Sequence, residues 1–114
     1  MIERFEEKRR FPRLNFHTPL RYQILGSSRF DNAISDNVSE EGLSFISDSY
    51  MSPNTPVILE FKVLSRMLKA IGMVCWSAPL THSYRSRQGI KFIEFDRVER
   101  DFLSDYINVR LEQA

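Results

Sequence analysis

The chain has 114 residues, 42% hydrophobic and 27% charged, close to globular averages; this excludes a disordered tail, a collagen-like rod and a coiled coil, and it allows one domain. Sixteen Lys and Arg against fifteen Asp and Glu leave a net charge of +1, so no bulk basic field drives binding to nucleic acid and any anion site has to be local. The lone Cys75 has no intrachain disulfide partner, the charged N-terminus carries no secretory h-region, and no apolar run approaches the roughly 20 residues that cross a bilayer, so a cytoplasmic chain without membrane attachment is expected.

Residues 1–13 are dominated by charge, with Ile2, Phe5 and Phe11 as apolar anchors, and read as a flexible N-terminal arm. From Leu14 the chain alternates. Leu14, Phe16, Leu20, Tyr22 and Ile24 fall on even positions until Gly26-Ser27-Ser28 supplies a turn, which predicts a first strand. A short second strand is expected over 30–36, followed by a polar turn with Gly42 and a third strand opening on Leu43, Phe45 and Ile46. Pro53 and Pro56 interrupt the chain before a strand over 57–63, and 67–76 reads as a long strand in which Gly72 marks a bulge. After a loop over 77–83, a last strand over 84–95 places Ile90, Phe92 and Glu94 on one face, opposite Gly89, Lys91 and Ile93. The period then changes. Val98, Phe102, Leu103, Tyr106, Ile107, Val109 and Leu111 recur at spacings of three and four, predicting an amphipathic helix over about 96–112 that opens on Asp96 and Glu99 as a D-x-x-E form of the capping box. Six strands and one helix predict a mainly β fold: a small antiparallel barrel carrying a C-terminal helix, with most of the fourteen aromatics in its core.

The arm ends in Lys8-Arg9-Arg10-Phe11-Pro12-Arg13, and a basic cluster by itself is commonly a solvated patch. The polar turn reads Asp36-Asn37-Val38-Ser39-Glu40-Glu41-Gly42; by itself it is a hairpin loop in which Asn37 and Ser39 bond their own backbone and Gly42 takes a positive φ. Taken together, R-x-x-x-R at Arg9 and Arg13 and N-x-S-x-x-G at Asn37, Ser39 and Gly42 resemble the paired signature of PilZ domains, bacterial receptors for cyclic diguanylate (cyclic di-GMP). Asn37 stands where that family also places Asp. The resemblance continues through Gly72-Met73-Val74-Cys75-Trp76, Gly89-Ile90-Lys91-Phe92 and the segment from Glu99 to Ile107, and covers nearly the whole chain. It implies a six-stranded PilZ-type barrel over residues 14–114 and an arm over 1–13 that wraps over the ligand with both arginines. Asn37 and Ser39 would hold the other side from the barrel surface, and Gly42 would contribute backbone shape. It also implies Trp76 beneath a guanine, the alternative being a place in the barrel core. Arg10 would either contact the ligand or a second ligand molecule, or face water. The family binds one ligand or an intercalated pair, and Lys8 does not disclose which.

The residue chemistry suits such a ligand. A guanidinium fork can donate two parallel bonds to phosphate oxygens or to the O6/N7 edge of guanine and stays charged at physiological pH, while Asn37 and Ser39 add neutral donors and acceptors. The implied function is that of a non-enzymatic receptor, without a cofactor, whose arm orders on binding and alters a surface read by an effector protein. The alternative is a domain of the same fold that serves protein interaction without the nucleotide. A single-stranded nucleic-acid binder is disfavoured by the near-zero charge, and the sequence leaves a monomer or a ligand-dependent dimer open. His17, His82 and Cys75 match no zinc spacing, and Ser83 beside His82 lacks a nucleophile elbow. With four glycines there is no phosphate-cradling or dinucleotide loop, and Cys75 among apolar neighbours reads as core.

Overall fold

The computed structural model describes residues 11–113, so the arm as far as Arg10, including Arg9, lies outside the described residues. Among the described residues seven strands, β1 (Leu14–Asn15), β2 (Pro19–Ile24), β3 (Asp31–Val38), β4 (Gly42–Ser47), β5 (Pro56–Val63), β6 (Arg66–Pro79) and β7 (Ser86–Phe95), precede one helix, α1 (Arg97–Glu112). All pairings are antiparallel, and the order β3-β2-β5-β6-β7-β4 closes when β4 pairs back with β3, giving the expected six-stranded barrel. β1 is an extra strand on β3, paired at Leu14↔Val38 and Asn15↔Asn37 beyond the stretch that β2 occupies.

The single first strand expected from Leu14 is therefore broken in two. Pro19 lacks an amide N–H, and buried Ser35 bridges the gap: its hydroxyl bonds the Phe16 carbonyl and accepts from the Thr18 amide at 2.9 Å. The second strand is longer than expected and runs to Val38, which shrinks the turn to Ser39, Glu40 and Glu41, closed by Ser39 N donating to the Gly42 carbonyl at 2.8 Å. Gly42 belongs to β4, and its φ is not positive. Likewise 77–79 are strand: Ser77, Ala78 and Pro79 pair with Gln88, Arg87 and Ser86, leaving Tyr84 79% exposed in the loop.

The barrel interior is filled by Leu20, Tyr22, Val38, Leu43, Phe45, Val57, Leu59, Phe61, Leu68, Val74, Ile90 and Phe92, with the Phe61 and Phe92 rings parallel and 6.0 Å apart. Phe16 joins them, but Trp76, Tyr50 and Tyr84 are exposed. Asp96 caps α1 by accepting from the amides of Val98 and Glu99. The reciprocal half of the capping box is not made: the Glu99 carboxylate accepts from Lys69 N at 3.2 Å and so ties the helix start to β6. Leu103 and Ile107 are buried, with Phe102, Tyr106 and Leu111 packed partly against the core, and the Tyr106 ring meets Phe16 edge-on at 6.0 Å. Val98 and Val109, expected on the buried stripe, face solvent. Among the described residues no helix is long and apolar enough to cross a membrane.

Candidate functional site

Side chains alternate between the two faces of a strand, so an inserted residue inverts the face of everything beyond it. Two such insertions build the candidate site. In β3 the pairing steps from Ser35↔Phe45 to Asn37↔Ser44, leaving Asp36 as the extra residue. Ser35 points inward, and strict alternation would have sent Asn37 inward too; the bulge turns it out. In β6 the pairing steps from Val74↔Ile90 to Trp76↔Gly89, leaving Cys75 over. Val74 is in the core, and the bulge turns both Cys75 and Trp76 outward. The core alternative for Trp76 and the core reading of Cys75 are thereby overturned: Trp76 is 42% exposed, and the Cys75 thiol is on the surface. Trp76 also sits inside its strand, three residues before its end, where the expected strand stopped.

The registers then set Asn37, Ser44, Gly89 and Trp76 in one row across β3, β4, β7 and β6, spanning three strand spacings, about 14 Å along the curved sheet. Between the ends of the row the side chains are small. The Trp76 indole lies against Gly89 so closely that a Cβ there would overlap its Nε1 and Cε2 atoms. In the next row Gly42 pairs with Lys91, and a Cβ on Gly42 would overlap the Ile90 carbonyl oxygen, so β4 and β7 meet backbone to backbone. Two glycines without side chains leave a cavity of about 190 Å³ lined by Arg13, Ser39, Glu41, Gly42, Trp76 and Lys91, with Cys75 at its side.

Polar contacts join the two sequence motifs. Arg13 Nη1 donates to Asn37 Oδ1 at 2.9 Å, using one of the five donors of the guanidinium. Asn37 Nδ2 donates to Asp36 Oδ2 at 3.4 Å, which orients the amide with its oxygen toward Arg13. Asp36 is held in turn by Arg87 Nε at 3.3 Å and by the Ser44 hydroxyl at 3.4 Å, with His17 Nε2 at 4.0 Å. Ser39 is buried to 3% exposure; its hydroxyl accepts from Glu41 N at 3.2 Å and keeps its own proton for another acceptor. The local hairpin bonding expected for the turn thus holds for Ser39 and fails for Asn37, which sits in a strand and bonds side chains instead.

Of the residues singled out from sequence, Arg13, Ser39, Gly42 and Trp76 line one cavity and Asn37 is bonded to it through Arg13, while Arg9 and Arg10 lie outside the described residues. Sequence reasoning missed Glu41, Lys91 and Cys75, which line the cavity, Asp36, which holds Asn37, and Arg87, which pairs with Asp36. The register opposing Gly42 to Lys91 would have found Lys91; no local signal marks the others. Among the described residues no group of three or more His, Cys, Asp or Glu side chains converges on a metal-sized site.

The model of the PilZ domain family matches residues 7–108. The fold is similar to that of the Bacillus subtilis inhibitor of motility, MotI/DgrA, with a TM-score of 0.79 and 14% identity over 91% of this chain and 52% of that one. The chain therefore spans about half the length of that protein. It is also similar to the PilZ domain of CeSA from a cellulose-synthesizing bacterium, with a TM-score of 0.61 and 14% identity over 89% of this chain and 98% of that one. At these identities the two structures speak for the fold. No curated protein matches in sequence.

Proposed function

The chain belongs to the PilZ domain family, and from that premise we propose that it is a receptor for cyclic di-GMP that acts without catalysis. The observation that carries the reading is the bond between Arg13 and Asn37 at the rim of a cavity shared by Arg13, Ser39, Gly42 and Trp76. Two motifs 24 residues apart in the chain meet there, although neither needs the other for the barrel to close.

Each group has a task in this reading. Arg13, joined by Arg9 and Arg10 from the arm over residues 1–13, grips phosphate oxygens or guanine O6 and N7 with its remaining donors. Asn37 sets the Arg13 fork and offers its amide, and Ser39 donates its hydroxyl proton. Gly42 lets the ligand approach backbone, and Trp76 supplies an exposed ring on which a base stacks. The cavity is smaller than the 300 Å³ or so at which ligand pockets usually begin, so it takes part of the dinucleotide and the arm covers the rest. Closing the arm costs conformational entropy, which the charged contacts offset, and the closed surface is what a partner protein reads, in the bacterial cytoplasm. No cofactor is needed for this.

Titration calorimetry with cyclic di-GMP, using linear GMP as the control, tests the reading. Saturable binding at about micromolar or tighter, near −8 kcal/mol, is expected. Arg13→Ala should weaken it by about 2–4 kcal/mol, because the variant deletes a charge-assisted fork and leaves its acceptors unpaired. Absence of binding to the unaltered protein would leave a protein-interaction module of the same fold.

A further inference from the structure

Glu41 is the one acidic side chain among the described residues that line the cavity. A carboxylate beside a ligand carrying two phosphodiesters repels it, unless the carboxylate meets hydrogen-bond donors. Glu41 is placed to do so. Its amide donates to the Ser39 hydroxyl at 3.2 Å and its carbonyl accepts from Phe92 N at 2.7 Å, so the backbone is pinned on both sides while the side chain is exposed. Among the described residues Glu41 enters no ion pair, and the cations that share the cavity with it, Arg13 and Lys91, outnumber it.

Guanine has two readable edges. O6 and N7 are acceptors, suited to arginine forks, whereas N1–H and the 2-amine are adjacent donors on the Watson–Crick edge. An ionised carboxylate has two acceptor oxygens and no donor, so it can accept both of those protons side by side. Adenine offers a lone pair at N1 and no 2-amine, and the same carboxylate would meet repulsion. Trp76 on the same cavity wall is neutral to this choice, since every base has a π-face.

We infer that Glu41 is a specificity-determining residue of the ligand site, accepting the N1–H and 2-amine protons of one guanine and so excluding bases that lack them. The inference rests on the receptor reading above and assigns it a discriminating group at a position that neither motif specifies. Lys91 offsets the Glu41 charge, so the site remains attractive to an anion.

The test compares cyclic di-GMP with its inosine analogue, cyclic di-IMP, in which hydrogen replaces each 2-amine, on the full chain and on Glu41→Gln. The unaltered protein is expected to bind cyclic di-GMP about tenfold or more tightly than cyclic di-IMP, and the variant to narrow that gap to about twofold, because Gln sets an NH₂ against one of the donors. The exposed side chain makes no hydrogen bond or ion pair among the described residues, so the thermal midpoint of the variant should match the parent. A preference that survives in Glu41→Gln, or that is missing in the parent, overturns the inference while the receptor reading stands on the measured affinity. Failure of the parent to bind cyclic di-GMP at all overturns both.

Discussion

At Gly42 a Cβ would overlap the carbonyl oxygen of Ile90, a backbone atom that no side-chain rotation can move. Gly42→Ala is expected to part β4 from β7 locally and lower the unfolding free energy by about 1–3 kcal/mol, read as an earlier urea midpoint. Gly89→Ala should behave differently, because the atoms in its way belong to the half-exposed Trp76 indole, which can swing clear. That variant should keep its stability within about 0.5 kcal/mol. The fluorescence of its single tryptophan should shift to the red, and ligand affinity should fall by about 1–3 kcal/mol if a base stacks there. These contrasts bear on what a sequence can disclose about a site. Arg13, Asn37, Ser39 and Gly42 were legible as a spaced pattern of residue types. Glu41 and Lys91 were not, because one lies between motif positions and the other reaches the cavity only through the register of β4 with β7. Cys75 was misread because apolar neighbours in sequence are neighbours in space only while alternation holds.

The helix and the strands fail and succeed by the same logic at the next scale. In α1 the residues that reach the core are Leu103 and Ile107, flanked by Phe102, Tyr106 and Leu111, a narrower stripe than the apolar positions suggest. Leu103→Ala should therefore cost about 2–5 kcal/mol and Val98→Ala less than about 0.5 kcal/mol, although both valine and leucine belong to the same periodic set. Asp96→Ala removes the acceptor of two helix amides and should cost about 1 kcal/mol, so chemical denaturation ranks the three substitutions without ambiguity. The strands were legible wherever polarity alternated or prolines and glycines punctuated the chain. They were misjudged at insertions. The register does slip beside Gly72, as that glycine suggested, but the extra residue is Ile93 on β7, and it turns Glu94 out and Phe95 toward Phe92 and Phe61. The bulges at Asp36 and Cys75 act the same way on Asn37 and Trp76. Period-2 reasoning carries no record of an inserted residue, because the insertion is settled by pairing with strands distant in the chain.

At the scale of the whole molecule, β3 joins the parts. One side of it pairs with β2 and then with β1, and the other pairs with β4, so the segment that carries Arg13 is anchored at the end of β3 where Asn37 sits. A ligand that engages both Arg13 and the outward row from Asn37 to Trp76 would therefore clamp β1, β3, β4, β7 and β6 together and bind the folded chain alone. Binding of that kind stabilises by mass action, about 2.7 kcal/mol at a hundredfold excess over Kd, which for a domain of this size raises the thermal midpoint by roughly 10 °C. The described core runs from Phe16 to Ile107 and closes without Arg9 or Arg10. Replacing both, as Arg9→Ala with Arg10→Ala in the full chain, should thus leave the midpoint of the unliganded protein within a degree or two and remove most of the cyclic di-GMP-induced rise. The rise in the parent should also shrink as salt is added, since the cations that line the cavity, Arg13 and Lys91, are exposed. A doubly substituted chain that still gains the full shift would place the ligand on the barrel face alone and take the arm out of the mechanism.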